Sequence, residues 1–300
     1  MNPLIIGKNG QLAFCLSSLN SRSIRGATFW GRDELNWLEP DDHTEKILNF
    51  KPSHIINTSA YTAVDAAELH QSDAFRVNAT GPEILAHAAK RLSVPLIHIS
   101  TDYVFDGNAS RPYTADQPCH PLNVYGASKL DGEIRVKESG CHYVIIRSSW
   151  VFSETGSNFV STMMGLNASP ELSVVNDQIG RPTYAGDLAK LIASILDSDT
   201  HLDSGTYHYS GGDQVTWFEF ADAIFDTALR HKLINSRPTL IPTTTNRFQS
   251  SQRANGKTVA TRPLFGVLNH SPELSDFAPI GNWRDSLPNV ITTLTNRKNG

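Results

Sequence analysis

The sequence predicts an α/β fold: a doubly wound parallel sheet with a smaller C-terminal lobe interleaved with its end. Three observations carry this reading. Short apolar runs alternate with segments of helical period, a glycine turn joins the first run to the first helix, and the regularity loosens after Trp150. Parallel strands buried on both faces read as unbroken apolar runs, and each needs a crossover to reach its neighbour.

Strand 3–6 holds Leu4, Ile5 and Ile6 and leads through the glycine turn into helix 11–19. Strand 27–30 and helix 44–50 follow, then strand 54–57, a long helix over 73–91 and strand 95–100. The proline-rich turn 117–121 cannot continue either element, and it precedes helix 125–138 and strand 143–148. Beyond Trp150 the pattern predicts helix 158–166, strand 172–175, helix 184–196, strand 206–210 and helix 216–233. The apolar stripe Phe218, Ala221, Phe225, Ala228 and Leu229 on the last of these is core packing of the kind a surface helix needs. Residues 246–262 contain Arg247, Arg253, Lys257 and Arg262 with no acidic residue and no clear period, so a loop is expected there. The division that follows is a dinucleotide-binding domain over 1–150, rejoined by about 172–212, and a substrate lobe from 151–171 and 213–300.

Composition narrows the function. With 26 Lys+Arg against 30 Asp+Glu, the net charge of -4 offers no general attraction to nucleic acid or an anionic membrane. The 3 cysteines, Cys15, Cys119 and Cys141, are far apart and form no CxxC, which fits a reducing cytoplasm better than a disulfide framework. No run approaches the roughly 20 apolar residues of a membrane span. None of the 11 histidines forms HxxxH or HExxH, so no metal site is expected, and His98, inside a strand, reads as a satisfied core histidine.

Gly7-Lys8-Asn9-Gly10-Gln11-Leu12-Ala13 places small residues where a backbone must turn tightly between strand and helix. An ordinary βα turn also carries glycines, but this one opens a βαβ unit, where a pyrophosphate meets a helix N-terminus. Gly7, Gly10, Gln11 and Leu12 are therefore candidate cofactor contacts in a Rossmann-type domain. An NAD site would usually carry an acidic residue at the end of the second strand. That place reads Trp30-Gly31-Arg32, and Arg32 suits a 2′-phosphate, which favours NADPH and leaves NADH open.

Tyr125 and Lys129 stand at i, i+4 at the start of a predicted helix, one turn apart on one face. Thr101 ends the strand before, at the edge where open α/β sheets bind ligands. A carbonyl that accepts hydride develops negative charge on oxygen, and a phenol placed there can donate a proton. A neighbouring ammonium should lower the phenol's pKa, and a threonine hydroxyl can bond the same oxygen.

The segments GKNGQL, NTSAYTAVDAAE (57–68), ISTDYVFDG (99–107), PLNVYGASKLDGE (121–133), RSSWVF (147–152), NFVSTM (158–163) and VNDQIGRPT (175–183) cover the chain to about residue 183. In them the sequence resembles the extended short-chain dehydrogenase/reductase family and, within it, the dTDP-4-dehydrorhamnose reductases. The resemblance implies Tyr125 as proton donor, Lys129 as its partner and Thr101 as tuning hydroxyl. It places Ala60, Tyr61, Thr62 and Asp102 with Thr101, Tyr125 and Lys129 along the cofactor, and Tyr103 and Trp150 at the sugar ring. For the basic segment two readings stand side by side: plain solvation of its charges, or pairing of Arg262, or Arg247, Arg253 or Lys257, with a nucleotide diphosphate. The implied reaction is reduction of the 4-keto group of dTDP-4-dehydro-β-L-rhamnose to dTDP-β-L-rhamnose with NADPH or NADH, a step of cell-surface carbohydrate biosynthesis. Ala13, Thr58-Ser59 and Asn36 depart from the family pattern. Cys15 stands where some members carry the carboxylate of a metal-bridged dimer, so no magnesium-dependent dimer is expected and a homodimer is left open. Two other readings share the residues: a reductase of another nucleotide-linked 4-keto-6-deoxy sugar, and a non-catalytic nucleotide-binding regulatory subunit.

Overall fold

The structure, a computed structural model, describes residues 1–39, 42–200 and 202–299. A six-stranded parallel sheet runs in the order Gly205–His208, Tyr143–Ser148, Leu96–Thr101, His54–Asn57, Pro3–Ile6, Thr28–Trp30. From Pro3–Ile6 the chain goes first to one side, to Thr28–Trp30, and then to the other, to His54–Asn57. The resulting switch point, where ligands of open α/β sheets bind, opens directly above the glycine turn.

Side-chain alternation builds a core on each face. Leu4, Ile6, Ile55, Leu96 and Ile145 pack with Ile47, Leu85, Ala89 and Val136 of helices His43–Phe50, Gly81–Leu92 and Val124–Glu138. Ile5, Ile56, Ile97 and Ile146 point the other way, onto Leu12 and Leu16 of Gln11–Ser17 and Leu188 and Ile192 of Ala185–Asp197. That is the two-residue period of a strand with both faces covered. A separate core gathers Phe152, Val160, Met163, Val174, Phe220, Phe225, Trp283, Leu287 and Ile291 from the C-terminal part.

Several expectations are corrected. The helix expected over 73–91 is broken: Gln71–Phe75 and Gly81–Leu92 are α-helical, with a π-helical turn at Arg76–Thr80 between them. Pro82 in the first turn of the second piece has no N–H, and its ring would press on the carbonyl four residues back, at Asn78, so a wider turn relieves the crowding. The loop expected over 246–262 is helical at Thr245–Ala254, capped by Thr244, whose side chain accepts from the Arg247 N–H. Its buried residues, Thr245 and Gln249, are polar, so no apolar period marked it. Strand Glu171–Val175, which begins the segment expected to rejoin the main sheet at 172, pairs instead with Thr239–Thr243. The chain returns to the sheet later, through helix Ala185–Asp197 and strand Gly205–His208. Helix Trp283–Asn299, with Pro288 inside it, was not anticipated.

One buried ion pair fixes the helix Val124–Glu138 to the sheet. Glu133, wholly buried, accepts from Ser100 Oγ at 2.6 Å and from Arg147 Nε and Nη2 at 2.9 and 2.7 Å. Arg147 directs its other donors at the Ala115 carbonyl, the Cys119 thiol and His208 Nε2. Burial opposes the Glu133 charge, but Arg147 and Ser100 more than offset it and hold the carboxyl below its ordinary pKa. The pair's stabilisation is thus complete above the ordinary carboxylate range and lost as pH falls through the lowered folded value. Removing one partner leaves the other charge buried, so Glu133→Ala is expected to cost about 3–5 kcal/mol in urea unfolding. A change below about 1 kcal/mol, the worth of an exposed pair, would contradict this account of the clasp.

Candidate active site

The glycine turn is shaped by backbone constraint. Gly7 has φ +104, and a Cβ there would lie 2.6 Å from Thr58 Oγ1 and 2.8 Å from the Ser59 nitrogen. Only glycine fits that approach without strain. Gly10 donates its N–H to the Gly7 carbonyl at 2.8 Å and caps helix Gln11–Ser17 with no side chain in the way. Gln11 then reaches outward: its Oε1 accepts from Ser153 Oγ at 3.2 Å and Asn158 Nδ2 at 3.0 Å, and its Nε2 donates to the Val151 carbonyl at 3.4 Å. Leu12 turns inward and is buried in the core. Arg32, beyond the end of Thr28–Trp30, is exposed and pairs with no carboxylate among the described residues, while Glu34 beside it takes Lys8 and the Gly31 N–H. Ala60, Tyr61 and Thr62 form the segment after His54–Asn57, tied down by Asn78, which accepts from the Tyr61 N–H at 2.8 Å and donates to its carbonyl at 3.1 Å. The tight turn, the side-chain-free helix start and the free guanidinium together fit a phosphorylated dinucleotide.

Thr101 and Tyr125 meet at the carboxyl edge of the sheet. Thr101 Oγ1 donates to Asp102 Oδ1 at 3.0 Å and accepts from the Tyr103 N–H at 3.2 Å. The Tyr125 hydroxyl lies beside Thr101, and the contact between the two hydroxyls draws the phenol's pKa down against its burial. Asn123 starts the helix by accepting the Gly126 N–H, which sets Tyr125 in the first turn. The Tyr103 ring stands edge-on to Tyr125 at 5.5 Å and 74°. Lys129, one turn on, is buried, and its Nζ donates to the Ile99 carbonyl at 2.6 Å with His98 Nε2 at 3.5 Å.

The charges here differ from the expectation in one respect. A lysine was expected to lower the Tyr125 pKa, but burial raises it, tempered by the Thr101 hydrogen bond, because Nζ is engaged at the Ile99 carbonyl. Burial also depresses Lys129 to about 8, against the opposing charge of Glu133. Asp102 is pushed up to about 7 by burial, and its Oδ2 has no hydrogen-bond partner among the described residues.

Arg262 closes one side of the site. It hydrogen-bonds Tyr103, donates to Asp65 Oδ2 at 2.9 Å and reaches the Ala260 carbonyl at 3.2 Å. Arg247, Arg253 and Lys257 are exposed. Trp150 has φ +47, a strained conformation for so bulky a residue. It stacks on Trp217 at 3.5 Å and 6°, with Gly180 packed so close to its indole that a side chain there would collide. Trp217 donates to Gln178 Oε1 at 3.0 Å, and Gln178 donates to Thr245 Oγ1 at 3.0 Å. Segment 262–268 stitches this pair to the Tyr103 side, since Ile179 donates its N–H to the Leu264 carbonyl and Gly266 donates back to Ile179. Trp217 and Gln178 were not singled out from sequence. Their signals were an aromatic at a helix start and a polar residue in the VNDQIGRPT segment, and only the fold joins them. A cavity of about 1130 Å³ between helices Trp217–Arg230 and Trp283–Asn299, lined by Arg181, Asp213, Asp222 and Arg284 among others, contains none of Thr101, Tyr125 or Lys129.

Comparison with known proteins agrees with this architecture. The family model of the RmlD substrate binding domain matches residues 1–296. A dTDP-4-dehydrorhamnose reductase of Aggregatibacter actinomycetemcomitans is 38% identical over 296 residues, 96% of this chain and 97% of that protein. A probable dTDP-4,6-dihydroxy-2-methyloxan-3-one 4-ketoreductase of Streptomyces antibioticus is 32% identical over 292 residues, 96% of this chain and 93% of that protein. The crystal structure of dTDP-4-dehydrorhamnose reductase from Bacillus anthracis in complex with NADP superposes with a TM-score of 0.82 at 32% identity, covering 97% of this chain and 98% of that one. With a Rossmann-type sheet, a glycine turn and a Thr-Tyr-Lys edge in one chain, and with matches over nearly its whole length, this protein belongs to the RmlD family of dTDP-4-dehydrorhamnose reductases.

Proposed function

We propose that this protein is an NADPH-dependent reductase that converts the 4-keto group of dTDP-4-dehydro-β-L-rhamnose to the alcohol of dTDP-β-L-rhamnose. The observation that carries the reading is the meeting of Thr101 and Tyr125 hydroxyls at the strand edge with Lys129 one turn along the same helix. No helix among the described residues is long and apolar enough to cross a membrane. The reading places the enzyme in the cytoplasm, with a nucleotide sugar as its partner.

NADPH, when bound, would supply the hydride that reduces the sugar C4. The Tyr125 hydroxyl, which stands beside Thr101, donates its proton to a carbonyl oxygen set between the two hydroxyls as negative charge grows there. Burial keeps Tyr125 protonated until that moment, so the proton is present when needed. Thr101 steadies the same oxygen. Lys129 would hold the ribose hydroxyls of the bound cofactor. Tyr103 and the edge of Trp150 bound the sugar, and Arg262 swings from Asp65 to pair with the diphosphate, since guanidinium binds carboxylate and phosphate by the same fork. Arg32 would hold the 2′-phosphate of the cofactor. The Streptomyces antibioticus relative, named for a different dTDP-linked ketone, keeps open a second reading: a related 4-keto-6-deoxy sugar as substrate.

The first test is NADPH consumption with dTDP-4-dehydro-β-L-rhamnose beside the UDP-linked analogue, with the product identified by NMR. Turnover to dTDP-L-rhamnose is expected, and NADPH binding without turnover of either ketone would overturn the reading. Tyr125→Phe should lower kcat by about 10²–10⁴-fold with NADPH binding retained, as loss of a general acid does. Unchanged turnover would remove Tyr125 from the chemistry and favour a non-catalytic role. Arg32→Ala should weaken NADPH far more than NADH in fluorescence titrations, and equal losses would reject the 2′-phosphate contact. Trp150→Ala should raise KM for the sugar nucleotide with NADPH affinity nearly intact. A drop in Tm with normal KM in the surviving protein would instead make it a packing residue for Trp217.

A further inference from the structure

We propose that His98 is a positioning residue for Lys129: Asn57 and Ser59 hold its ring with the proton on Nε2, and that N–H, directed at Nζ, governs the pH at which Lys129 carries its charge. The inference deepens the reductase reading and rests on it for its consequence in turnover.

The argument begins at the end of strand His54–Asn57. Asn57 lies in register with His98 on strand Leu96–Thr101, and both side chains are wholly buried. Asn57 Oδ1 accepts from the Ser59 backbone N–H at 3.1 Å and from the Ser59 hydroxyl at 2.7 Å. A backbone N–H can only donate, so the amide oxygen must face Ser59 and the amide nitrogen must face the ring. That nitrogen lies 3.0 Å from His98 Nδ1. It too can only donate, which makes Nδ1 an acceptor. Burial holds the His98 ring well below its ordinary pKa, so the ring is neutral and its single proton sits on Nε2.

Nε2 lies 3.5 Å from Lys129 Nζ. An ammonium has three donors and no lone pair, so it presents a proton to a proton along this line. A neutral amine accepts there and still donates to the Ile99 carbonyl at 2.6 Å. The ring N–H therefore favours the amine. Glu133, one turn on, opposes it and favours the ammonium. Its carboxylate is already engaged by Arg147 from strand Tyr143–Ser148, by Ser100 and by Lys137 at 3.6 Å. Tyr125 on the same helix faces Thr101, Asp102 and Tyr103 occupy the turn beyond Thr101, and Glu83 from helix Gly81–Leu92 is bound to Arg135. Of the groups arrayed around Nζ, His98 is the one whose hydrogen-bond sense is imposed from outside the catalytic residues. With Lys129 at about 8, a change in that sense carries its charge across the working pH.

The test uses lysine- and histidine-labelled full-length protein, with nitrogen and side-chain carbon NMR to read the ring tautomer and the Lys129 midpoint, the latter assigned with Lys129→Arg. The wild-type ring should be protonated on Nε2. In His98→Gln the Lys129 midpoint should rise by about one pH unit, a tenfold gain in proton affinity, and the basic limb of kcat/KM should move with it. Asn57→Asp, nearly the same shape, should draw the ring proton to Nδ1, leave Nε2 to accept from the ammonium and raise the midpoint likewise. This variant carries the test if His98→Gln does not fold. A ring protonated on Nδ1 in the wild type, or a Lys129 midpoint unmoved in a folded variant, overturns the proposal. Because the NMR midpoints need no substrate, a protein without turnover would sink the reductase reading while the midpoints still decide this one.

Discussion

The buried pair of Glu133 and Arg147 is the constraint on which the site's geometry rests. It ties the helix carrying Tyr125 and Lys129 to the two strands that carry Thr101 and Arg147. A hydroxyl that must meet a developing charge within a few tenths of an ångström cannot be placed by apolar packing alone, because packing specifies volume better than angle. A carboxylate held by a guanidinium fork and a hydroxyl specifies both. The cost is two desolvated charges, and the return is a helix that can neither roll nor slide over the sheet.

The same burial sets the protonation states. Tyr125 rises, Lys129 falls and Asp102 rises, each chiefly because its charged form has been taken from water. Each shift moves its group toward the uncharged form. Charge that appears on a substrate oxygen then meets fixed donors in a poorly screened environment, where each hydrogen bond counts for more than it would at the surface.

Much of this was legible in the sequence, and for identifiable reasons. Leu4, Ile5 and Ile6 announce a strand buried on both sides, and Tyr125 and Lys129 share a helix face by arithmetic alone. The helix at Thr245–Ala254 was hidden because Thr245 and Gln249 make its inner face polar. The apolar spacing of Trp283, Leu287, Val290 and Ile291 fits a helix, although Pro288 lies in its midst. The stack of Trp150 on Trp217 and the engagement of Lys129 with His98 join residues distant in the chain. No local pattern records them. Arg262 was readable as a cation for a diphosphate, whereas its resting partner Asp65 was not, since that pairing spans most of the chain.

Gln11 sits at the first turn of the cofactor helix, yet all its polar atoms are spent on Val151, Ser153 and Asn158, at the root of the C-terminal lobe. It acts as a mechanical linkage between two halves that otherwise have separate cores. On the proposed reading, a dinucleotide in the glycine turn would bear on one end of that linkage and a sugar nucleotide against the lobe on the other. Thermodynamic reciprocity makes the two effects equal: whatever factor the dinucleotide adds to the grip on the sugar, the sugar returns to the grip on the dinucleotide.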